Sequence, residues 1–538
     1  MKTWQTLNTA TKKKDVIDIL LENRGLKTKK EKDSFFDPVS PMDIKLKDLE
    51  ISSLEIKKAI KRIKAAKEKK EKVIVHGDYD ADGVTSTAIM WEALYKYGVD
   101  VLPYIPDRFL EGYGIRAESV KKLKEESPEL KLIITVDNGI VANKEIKEIN
   151  KLGIDVIVTD HHQPSKAKPK AYAIIHTTQI AGSGVAWVFA RELTGKNIGL
   201  ELTAIGTIAD QMPLIFSNRS FVKYGLKELQ KTKRAGLIEM IKEAGIKFED
   251  IGTYEVNYVI APRINSMGRL KNGIDSLRLL CTKDIKRAKE LSNLLSKTNV
   301  ERQKMVDNTL ITVRSKAKEF SDGLIFISDE TYHEGVIGLA AGRLVEEFYR
   351  PAIVVSKGKE FSKGSARSIS GFNIIEVIRE HSHLLVAHGG HVMAAGFTIE
   401  TAKLDEFRDL LRESAAKLLD EEILKRKLKI DCELDFKQIN WELVGKLKKF
   451  EPTGLGNPAP TFVTKNVEVI DKRLLGKEKK HLKLKLKSEN KFIDAIGFGM
   501  GEGYKEIKEK IDIVYGVEEN IWNGTRSLQL RLRDIRNT

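Results

Sequence analysis

Runs of consecutive apolar residues alternate with amphipathic stretches in the first half of the chain. The apolar runs lie in "KVIVHGD", "KLIITVDNG", "DVIVTDHHQP" and "AYAIIHTT", and each has the length and β-branched content of a buried strand. Between them, "GVTSTAIMWEALYKYG" and "VANKEIKEINKLG" predict helices, the first ending at Gly98. Continuous apolar strands that alternate with helices are typical of a parallel sheet covered on both faces. We therefore predict an α/β domain over residues 71–215.

The pattern divides the rest of the chain into four further parts. Residues 1–70 predict a helical N-terminal lead-in, which two prolines interrupt in "FFDPVSPMD". Residues 216–320 are rich in Lys and Glu and predict a long helical connector. A second α/β unit, residues 321–425, begins with the apolar runs of "GLIFISDE" and "RPAIVVSKG". Residues 430–538 predict a small β domain, because short alternating runs are separated by Gly, Asn and Pro turns.

Two segments of the β domain alternate strictly between leucine and a polar or cationic residue. They are "HLKLKLKS" (Leu482, Leu484 and Leu486 against Lys483, Lys485 and Lys487) and "SLQLRLRDI" (Leu528, Leu530 and Leu532 against Gln529, Arg531 and Arg533). A period of two buries the leucines and leaves the cations on an open face. With Phe462, Phe498 and Trp522 as candidate stacking surfaces, this favours an OB-like β-barrel that binds single strands. The alternative is a solvated sheet face whose lysines protect an edge.

Acidic and imidazole residues follow three of the predicted strands. They are His76, Asp78, Asp80 and Asp82 after the first, Asp137 after the second, and Asp160, His161 and His162 after the third, while Asp210 follows a later helix. The carboxyl ends of parallel strands meet at one edge of a sheet, where such folds bind ligands. Carboxylates packed this closely need a cation to stay ionised. Oxygen and imidazole ligands without Cys favour Mn²⁺ or Mg²⁺, and their number suits two ions. Ordinary turn chemistry at each strand end is the alternative.

Several segments resemble a known enzyme superfamily. "HGDYDADG", "VDNG", "TDHHQP" and "GTIADQMPL" resemble, in order, the four motifs of the DHH phosphoesterases, and "SARSI" and "GGHVMAAGF" resemble their accessory DHHA1 domain. "PDRFLEGYG", "APRINSMGRL" and "GLGNPAPTF" are similar to the RecJ family within that superfamily. The resemblance covers nearly the whole chain. It implies a parallel-sheet DHH domain and a DHHA1 α/β domain joined by the helical connector, plus the C-terminal OB-like barrel.

The same resemblance implies an activity and a role for each matching residue. The activity is metal-dependent 5′→3′ hydrolysis of single-stranded DNA to 5′-mononucleotides, in DNA repair and recombination. The implied metal ligands are His76, Asp80, Asp82, Asp137, His161 and Asp210. Asp137 would bridge two ions and His162 would contact the scissile phosphate, so both are assigned to catalysis. Asp160 is expected to orient an imidazole, and Asp78 is assigned to the turn or to an outer contact.

Substrate-binding residues are expected on both α/β units. Arg108, Ser365 and Arg367 match a pocket for the 5′ phosphate, and Tyr113 is a candidate for base stacking. In "HGGH", Gly389 and Gly390 would let backbone N–H groups approach a phosphate to which His391 donates. A Gly-rich turn is the alternative there. Arg263 and Arg269 are candidate contacts to backbone phosphates, or else members of structural ion pairs.

Composition agrees with a nucleic-acid partner. The formal charge is +16, which favours a polyanion. The chain has only two cysteines, Cys281 and Cys432, which suits a reducing cytoplasm, and its first residues lack the apolar core of a secretion signal. No run approaches the ~20 apolar residues of a membrane span. We expect single-stranded DNA as the substrate, a single-strand-binding protein or a helicase as candidate partners, a cytoplasmic location and no membrane.

Two other functions stay open. A DHH phosphodiesterase acting on short oligoribonucleotides or cyclic dinucleotides would use the same chemistry, although such enzymes resemble only the two α/β units. A non-catalytic replication scaffold would have lost metal ligands, whereas every ligand position is filled here. The sequence ends after the β domain, so we expect the additional C-terminal domain of longer relatives to be absent.

Overall fold

The N-terminal segment joins the far end of the chain. The computed structural model of the protein describes residues 2–8, 15–318 and 323–538. The first elements are β1 (Thr3–Asn8), α1 (Val16–Asn23) and α2 (Lys29–Phe36). Strand β1 pairs in parallel with Lys427–Glu433, and the apolar face of α1 packs into the core of the C-terminal domain. The expectation of a helical lead-in is therefore wrong for residues 3–8.

A five-stranded parallel sheet forms the first α/β domain. Its elements are α3 (Ser53–Glu68), β2 (Lys72–His76), α4 (Ala81–Tyr97), β3 (Val101–Tyr104), α5 (Ala117–Glu126), β4 (Leu130–Val136), α6 (Asn143–Lys151), β5 (Asp155–Asp160), β6 (Ala173–His176), α7 (Gly182–Thr194) and α8 (Leu200–Ala209). The strand order is β3-β2-β4-β5-β6, and helices cover both faces. This confirms the predicted parallel α/β fold and the end of α4 at Gly98. The edge strand β3 was not predicted, because it is short and contains Pro103.

The helices that follow fall into two groups. They are α9 (Phe216–Leu229), α10 (Ala235–Glu243), α11 (Thr253–Glu255), a π-helical turn (Val256–Ile260), α12 (Ala261–Leu270), α13 (Ile274–Cys281) and α14 (Ile285–Ala317). The apolar residues of α9 to α13, such as Phe221, Met240 and Leu277, lie in the same core as the helices of the first sheet. Helix α14, 33 residues long, carries the chain to the second α/β unit. The predicted connector is therefore α14, while the preceding helices extend the first domain.

The second α/β unit contains a mixed five-stranded sheet. Its elements are β7 (Ile325–Asp329), α15 (Ile337–Phe348), β8 (Ala352–Ser356), β9 (Phe361–Arg367), α16 (Ile374–Glu380), β10 (Leu385–His391), β11 (Ala394–Glu400) and α17 (Leu404–Leu418). The order is β10-β11-β9-β8-β7, in which β7 and β8 are parallel and the other pairs antiparallel. Strand β10 is an edge strand, and its hairpin with β11 extends towards the first domain.

The C-terminal domain is a five-strand OB-like barrel. Its elements are β12 (Lys427–Glu433), α18 (Trp441–Lys448), β13 (Phe462–Leu475), β14 (His481–Ser488), β15 (Lys491–Gly497), β16 (Lys510–Trp522) and β17 (Thr525–Asn537). Strand β13 pairs with both β14 and β16, and β15 pairs with β17, so these five strands close on themselves. Leu482, Leu484 and Leu486 are fully buried, as the period of two predicts.

A buried arginine fixes the barrel against the first domain. Arg219 of α9 is fully buried, and its guanidinium donates to five carbonyl oxygens, those of Phe35, Lys449, Phe450, Glu451 and Pro452. Close by, the N–H of Leu214 donates to the carbonyl of Leu455 at 2.6 Å. The position of the barrel is thereby tied to the segment that follows Asp210. No helix among the described residues combines the length and apolar character needed to cross a bilayer.

Candidate metal centre and phosphate pocket

Acidic and imidazole groups meet at the carboxyl edge of the first sheet. Their ligand atoms form three sets, each within 4.8 Å, namely Asp82 with His161 and Asp210, Asp137 with His161 and His162, and Asp78 with Asp80 and Asp137. The Nε2 atom of His161 lies 3.1 Å from Asp137 Oδ1, 3.7 Å from Asp210 Oδ2 and 3.9 Å from Asp82 Oδ2. Since Asp137 and His161 each belong to two sets, the sets form one continuous centre.

Backbone geometry holds two of these carboxylates in place. Asp82, in the first turn of α4, accepts the N–H groups of Gly182 and Ser183 at 2.7 and 3.0 Å, at the start of α7. A Cβ on Gly182 would lie 2.5 Å from Asp137 Oδ1, and one on Gly206 would lie 2.3 Å from Asp82 Oδ1. Both positions therefore require glycine. Sequence reasoning missed them, although Gly206 lies within "GTIADQMPL".

The loop that carries Asp78 and Asp80 is fixed from two sides. Asp80 caps α4 by accepting the N–H of Gly83 at 2.9 Å. Asn265 of α12 accepts the N–H of Ala81 at 2.7 Å. Asn265 of the segment "APRINSMGRL" thus positions the loop of the first acidic motif, a role that the sequence analysis, which considered only the arginines of this segment, did not predict.

Asp137 has a strained backbone and an unsatisfied carboxylate. Its φ is +61°, a left-handed conformation that costs a non-glycine residue about 1–3 kcal/mol. Its side chain is buried, and Oδ1 has no hydrogen-bond partner among the described residues. Burial, followed by the charges of Asp82, Asp80 and Asp78, raises the pKa of Asp137 well above its usual range. A strained backbone and a buried carboxyl oxygen without a hydrogen-bond partner are typical of a functional residue, here one that can bind a cation.

The remaining donors also suit divalent ions. Burial lowers the pKa of His76 to about 4 and that of His161 to about 3, so both imidazoles are neutral at pH 7. Burial and neighbouring carboxylates raise the pKa of Asp82 to about 6 and that of Asp210 to about 8. Both ring nitrogens of His76 and Nε2 of His161 lack hydrogen-bond partners within the described ranges. Neutral imidazoles with free lone pairs beside uncompensated carboxylates are the state in which a metal binds.

Two predicted positions differ from the observed grouping. His76 is buried and its ring packs 5.3 Å from that of Tyr104, but it belongs to none of the three sets. Asp78, which was assigned to the turn or an outer contact, lies with Asp80 and Asp137 instead. Strand β2 ends at His76, so the loop that follows sets the direction of Asp78, and the ligand role of His76 stays a prediction.

His162 is held between the two α/β units. Its Nδ1 lies 2.8 Å from Asp160 Oδ1, the contact expected for Asp160. Burial alone would lower the pKa of His162, but the hydrogen bond and charge of Asp160 outweigh it and raise that pKa to about 9. The ring of His391 stacks at 6.2 Å and 14° on His162. Tyr113, the candidate stacking residue, donates its hydroxyl to the carbonyl of Asp137 at 3.1 Å, so its polar end belongs to this centre.

Arginines without acidic partners form the candidate phosphate pocket. Arg367 donates to Ser365 Oγ at 3.1 Å, and burial together with Arg108 lowers its pKa. Burial, then Arg108 and Arg367, lowers the pKa of Arg269 to about 9. Within the described residues, no carboxylate lies at salt-bridge distance from Arg108, Arg269 or Arg367. Such a cluster of like charges is stabilised by binding an anion.

Other candidate contacts lie elsewhere or have a structural role. Arg263 donates to the carbonyl of Val259 at 2.9 Å and to Ser296 Oγ at 3.2 Å, so it faces α14 rather than the arginine pocket. Gly390 has a φ of +145°, and a Cβ there would lie 2.4 Å from the carbonyl oxygen of Ala394. The hairpin itself therefore requires Gly390. A Cβ on Gly389 would meet open space.

The cationic face of the barrel is only partly free. Lys483 pairs with Asp494 at 3.0 Å, and Lys487 pairs with Glu468 at 3.3 Å. Arg531 lies over the ring of Phe498 at 5.4 Å, and Lys485 lies over that of Phe492 at 5.8 Å. Phe498 and Trp522 are exposed as expected, Phe462 is buried in the core against expectation, and the exposed Phe492 was not predicted.

Comparisons with known proteins agree with this geometry. Residues 72–208 match the N-terminal domain of the DHH family, residues 321–417 the DHHA1 domain and residues 430–534 the RecJ OB domain. The chain is 38% identical over 498 residues to the single-stranded-DNA-specific exonuclease RecJ of Bacillus subtilis, covering 89% of this chain and 63% of that protein. It is 31% identical to the exonuclease RecJ of Haemophilus influenzae, covering 88% of this chain and 89% of that one.

A solved structure covers the whole chain. The crystal structure of RecJ in complex with Mn²⁺ from Thermus thermophilus superposes with a TM-score of 0.85 at 29% identity, covering 100% of this chain and 80% of that one. A second crystal structure from the same organism, in complex with Mg²⁺, gives 0.77 at 28% identity, covering 100% and 78%. The three matched domains and the coverage of the relatives place the chain in one family. The chain belongs to the RecJ family of single-stranded-DNA-specific exonucleases.

Proposed function

We propose that this protein is a metal-dependent exonuclease that degrades single-stranded DNA from its 5′ end to 5′-mononucleotides, in DNA repair and recombination. The main observation in support is that a carboxylate–imidazole centre lies beside a pocket of arginines without acidic partners, between the two α/β units. The chain spans 63% of the length of the Bacillus subtilis relative, so the activity is proposed here for this chain on its own residues.

The donor set fits two ions of Mn²⁺ or Mg²⁺. Candidate ligands are Asp78, Asp80, Asp82, Asp137, His161 and Asp210, with His76 kept as a further prediction. When bound, two such ions lower the pKa of a water and offset negative charge on a phosphorus centre. Asp137 belongs to two of the sets and has two carboxylate oxygens, so we assign it to the boundary between the two positions, whereas His161 would bind one ion through Nε2.

The side chains around the ions bind and orient the scissile group. His162 is protonated below about pH 9, so its ring can donate a hydrogen bond to a phosphoryl oxygen at neutral pH. Asp160 holds that ring through Nδ1, which leaves Nε2 for the substrate. Arg108, Arg367 and Ser365 would hold the terminal 5′ phosphate, with Arg269 as an added cation. If the terminal 5′ phosphate is bound beside the ions, the first internal phosphodiester bond lies next to the ions. Cleavage of that bond first gives the 5′→3′ direction.

The arrangement also favours an unpaired strand. The hairpin of β10 and β11 brings His391 against His162, so the second unit covers the metal edge of the first sheet. A single strand can pass below such a hairpin, whereas a duplex would have to open first. The barrel, fixed beside Asp210 through Arg219 and Leu214, would bind the strand farther along.

End-labelled DNA tests the proposal. Single-stranded DNA labelled at either end, with or without a 5′ phosphate, is digested in Mn²⁺, Mg²⁺ or EDTA. We expect release of mononucleotides from the 5′ end, a faster rate with the 5′ phosphate, and no cleavage in EDTA. Cleavage from the 3′ end, or cleavage in EDTA, would contradict the proposal.

The other functions give different outcomes in the same assay. A phosphodiesterase for short oligoribonucleotides or cyclic dinucleotides would cleave those and spare long DNA, and the barrel argues against it. A scaffold would bind DNA without cleaving it. A single-strand-binding protein or a helicase as a partner, and a cytoplasmic location, stay proposals. The two cysteines, both without a disulfide partner, support the location.

A further inference from the structure

Two tyrosines form an exposed, tilted ring pair on the first domain. Tyr254 and Tyr258 are each 65% exposed, and their ring centroids lie 4.8 Å apart with the planes tilted by 36°. Large aromatic rings exposed side by side are uncommon, because burial of each would be favourable. Tyr258 lies within the π-helical turn Val256–Ile260, and Tyr254 lies two residues before that turn begins. Such turns often occur at functional sites.

The pair lies next to the metal centre. Asn257, between the two tyrosines in sequence, accepts a hydrogen bond from Gln211 Nε2 at 2.8 Å. Gln211 directly follows Asp210 and has a φ of +57°, so this hydrogen bond fixes a strained turn beside a candidate metal ligand. Tyr254 lies three residues before Asn257 and Tyr258 one residue after it, so the pair flanks the residue that binds this turn.

The segment that starts at this turn also reaches the barrel. Leu214 follows Gln211 closely and donates its N–H to the carbonyl of Leu455 in the C-terminal domain at 2.6 Å. Leu455 is itself 57% exposed. The segment that joins the metal edge to the barrel is therefore hydrogen-bonded to Asn257, the residue directly before Tyr258. A strand that runs from the metal centre to the barrel passes this segment.

We propose that Tyr254 and Tyr258 form a stacking platform for nucleobases of the DNA strand on the 3′ side of the cleaved bond. The inference rests on the proposed exonuclease function and names a binding site within it. Stacking suits this position because every base has a π-face, so the strand is held without sequence preference while it advances. Phosphate contacts alone would hold the backbone but leave the bases unsupported.

Abasic scanning provides the test. Binding of the full-length protein in EDTA is measured with single-stranded DNA that carries one abasic site at successive positions from the 5′ end. We expect wild-type affinity to fall about fivefold or more at one short window of positions, since stacking of one base contributes at least that factor. The affinity of the variant Tyr254→Ala/Tyr258→Ala for intact DNA should be lower than that of the wild type by a similar factor. An abasic site in that window should not lower the affinity of this variant further.

Matched variants distinguish stacking from a folding defect. Tyr254→Phe/Tyr258→Phe should bind like the wild type, because the ring faces remain. Tyr95→Ala removes a tyrosine that is 63% exposed and stacks on Trp91, in the half of α4 away from Asp82, and should leave binding unchanged. The inference would be overturned if an abasic site in the window lowered the affinity of the double Ala variant as much as it lowers that of the wild type. Unchanged binding of intact DNA by the double Ala variant would overturn it as well. Wild-type protein that fails to degrade single-stranded DNA would instead contradict the proposed function.

Discussion

A single carboxylate oxygen, Oδ1 of Asp160, fixes both histidines of the third motif. It accepts the backbone N–H of His161 at 2.7 Å and that of His162 at 3.1 Å, and it lies 2.8 Å from Nδ1 of the His162 ring. The other oxygen accepts the N–H of Ile140 at 2.9 Å. These contacts and the charge of His162 outweigh burial and lower the pKa of Asp160. Asp160 therefore acts as a charged anchor for the orientation and protonation of His162.

Replacing Asp160 by Asn tests this anchor. The side chain keeps its shape but loses its charge, so the pKa of His162 should fall from about 9 towards its usual range. With a pKa near the usual 6.5 the ring is still mostly protonated at pH 6 and only about 3% protonated at pH 8, so activity should fall little at pH 6 and by roughly 30-fold at pH 8. The pH dependence of kcat measures this, with metal content as the control. Equal losses at both pH values would show a merely structural role.

Asp137→Ala should abolish cleavage while single-strand binding persists. The substitution removes a carboxylate shared by two ligand sets, whereas the arginine pocket and the barrel stay intact. Turnover and binding of an end-labelled strand, measured on the same protein sample, separate the two effects. Retained turnover in Mn²⁺ would refute the shared-ligand role, and loss of binding as well would indicate a folding defect.

The stability of the metal-free protein should depend on pH in an unusual direction. The pKa values of Asp82 and Asp210 rise from 3.8 to about 6 and about 8 on folding, so the folded protein retains protons that the unfolded chain releases. The contribution of these two carboxyl groups to the free energy of unfolding therefore falls as the pH increases from about 4 to about 8, while the lowered pKa values of His76 and His161 act in the opposite direction below about pH 6.5. A divalent ion replaces those protons, so it should stabilise more at pH 8 than at pH 5.

Thermal melting in EDTA and in Mn²⁺ at several pH values measures that difference. We expect the increase in Tm on adding Mn²⁺ to grow from pH 5 to pH 8. An increase that is equal or larger at pH 5 would contradict the coupling. Asp210→Asn is a matched variant, because it removes the higher of the two titrations and should flatten the dependence above pH 6.

Arg219→Met should loosen the barrel from the first domain. The change removes a charged donor from five carbonyl oxygens, and loss of such a donor costs about 1.5–3 kcal/mol for a single bond. The carbonyls of Phe450 and Pro452 still accept from Asn457 Nδ2, whereas the other three lose this donor without a replacement from Asn457. We expect a lower unfolding midpoint for the barrel in a denaturant titration and faster proteolysis near residues 450–460. Binding of long strands should weaken more than cleavage of very short ones. Unchanged proteolysis would show that the barrel is held by other contacts.

The free cations of the barrel should set the salt dependence of binding. Lys485→Gln/Arg531→Gln should lower the slope of log K against log salt by about 0.7 for each lost phosphate contact. Lys483→Gln is the matched control, because Asp494 already neutralises Lys483 at 3.0 Å and the slope should change less. Equal changes in both variants would indicate that the DNA crosses the barrel on a different face.

The centre was predictable because its signals are local. Each apolar run ends in its acidic group within a few residues, and parallel strands bring those ends together without any knowledge of side-chain packing. The burial of Leu482, Leu484 and Leu486 follows from a period of two in the same way. The parallel fold and the metal edge could therefore be predicted from short stretches of sequence.

Features that depend on distant partners could not be predicted. Strand β1 pairs with β12 from the other end of the chain, and Gly182 is required only because Asp137 approaches it in space. Arg263 and Arg269 are about 120° apart around a helix, so they face different directions, yet the sequence does not show which of them faces the cleft. Asp78 joins Asp80 and Asp137 because the loop after β2 turns it towards the centre, which the sequence pattern alone does not show, while the ligand role of His76 stays a prediction.

The proposed activity depends on two divalent ions that would share the Asp137 carboxylate, with His161 as a ligand to one of them. The most direct test is a crystal structure of the protein soaked in Mn²⁺, with anomalous scattering recorded at the manganese edge. We predict two anomalous peaks about 3.5–4 Å apart, with the Asp137 carboxylate between them. A single peak, or peaks remote from Asp137 and His161, would contradict the account.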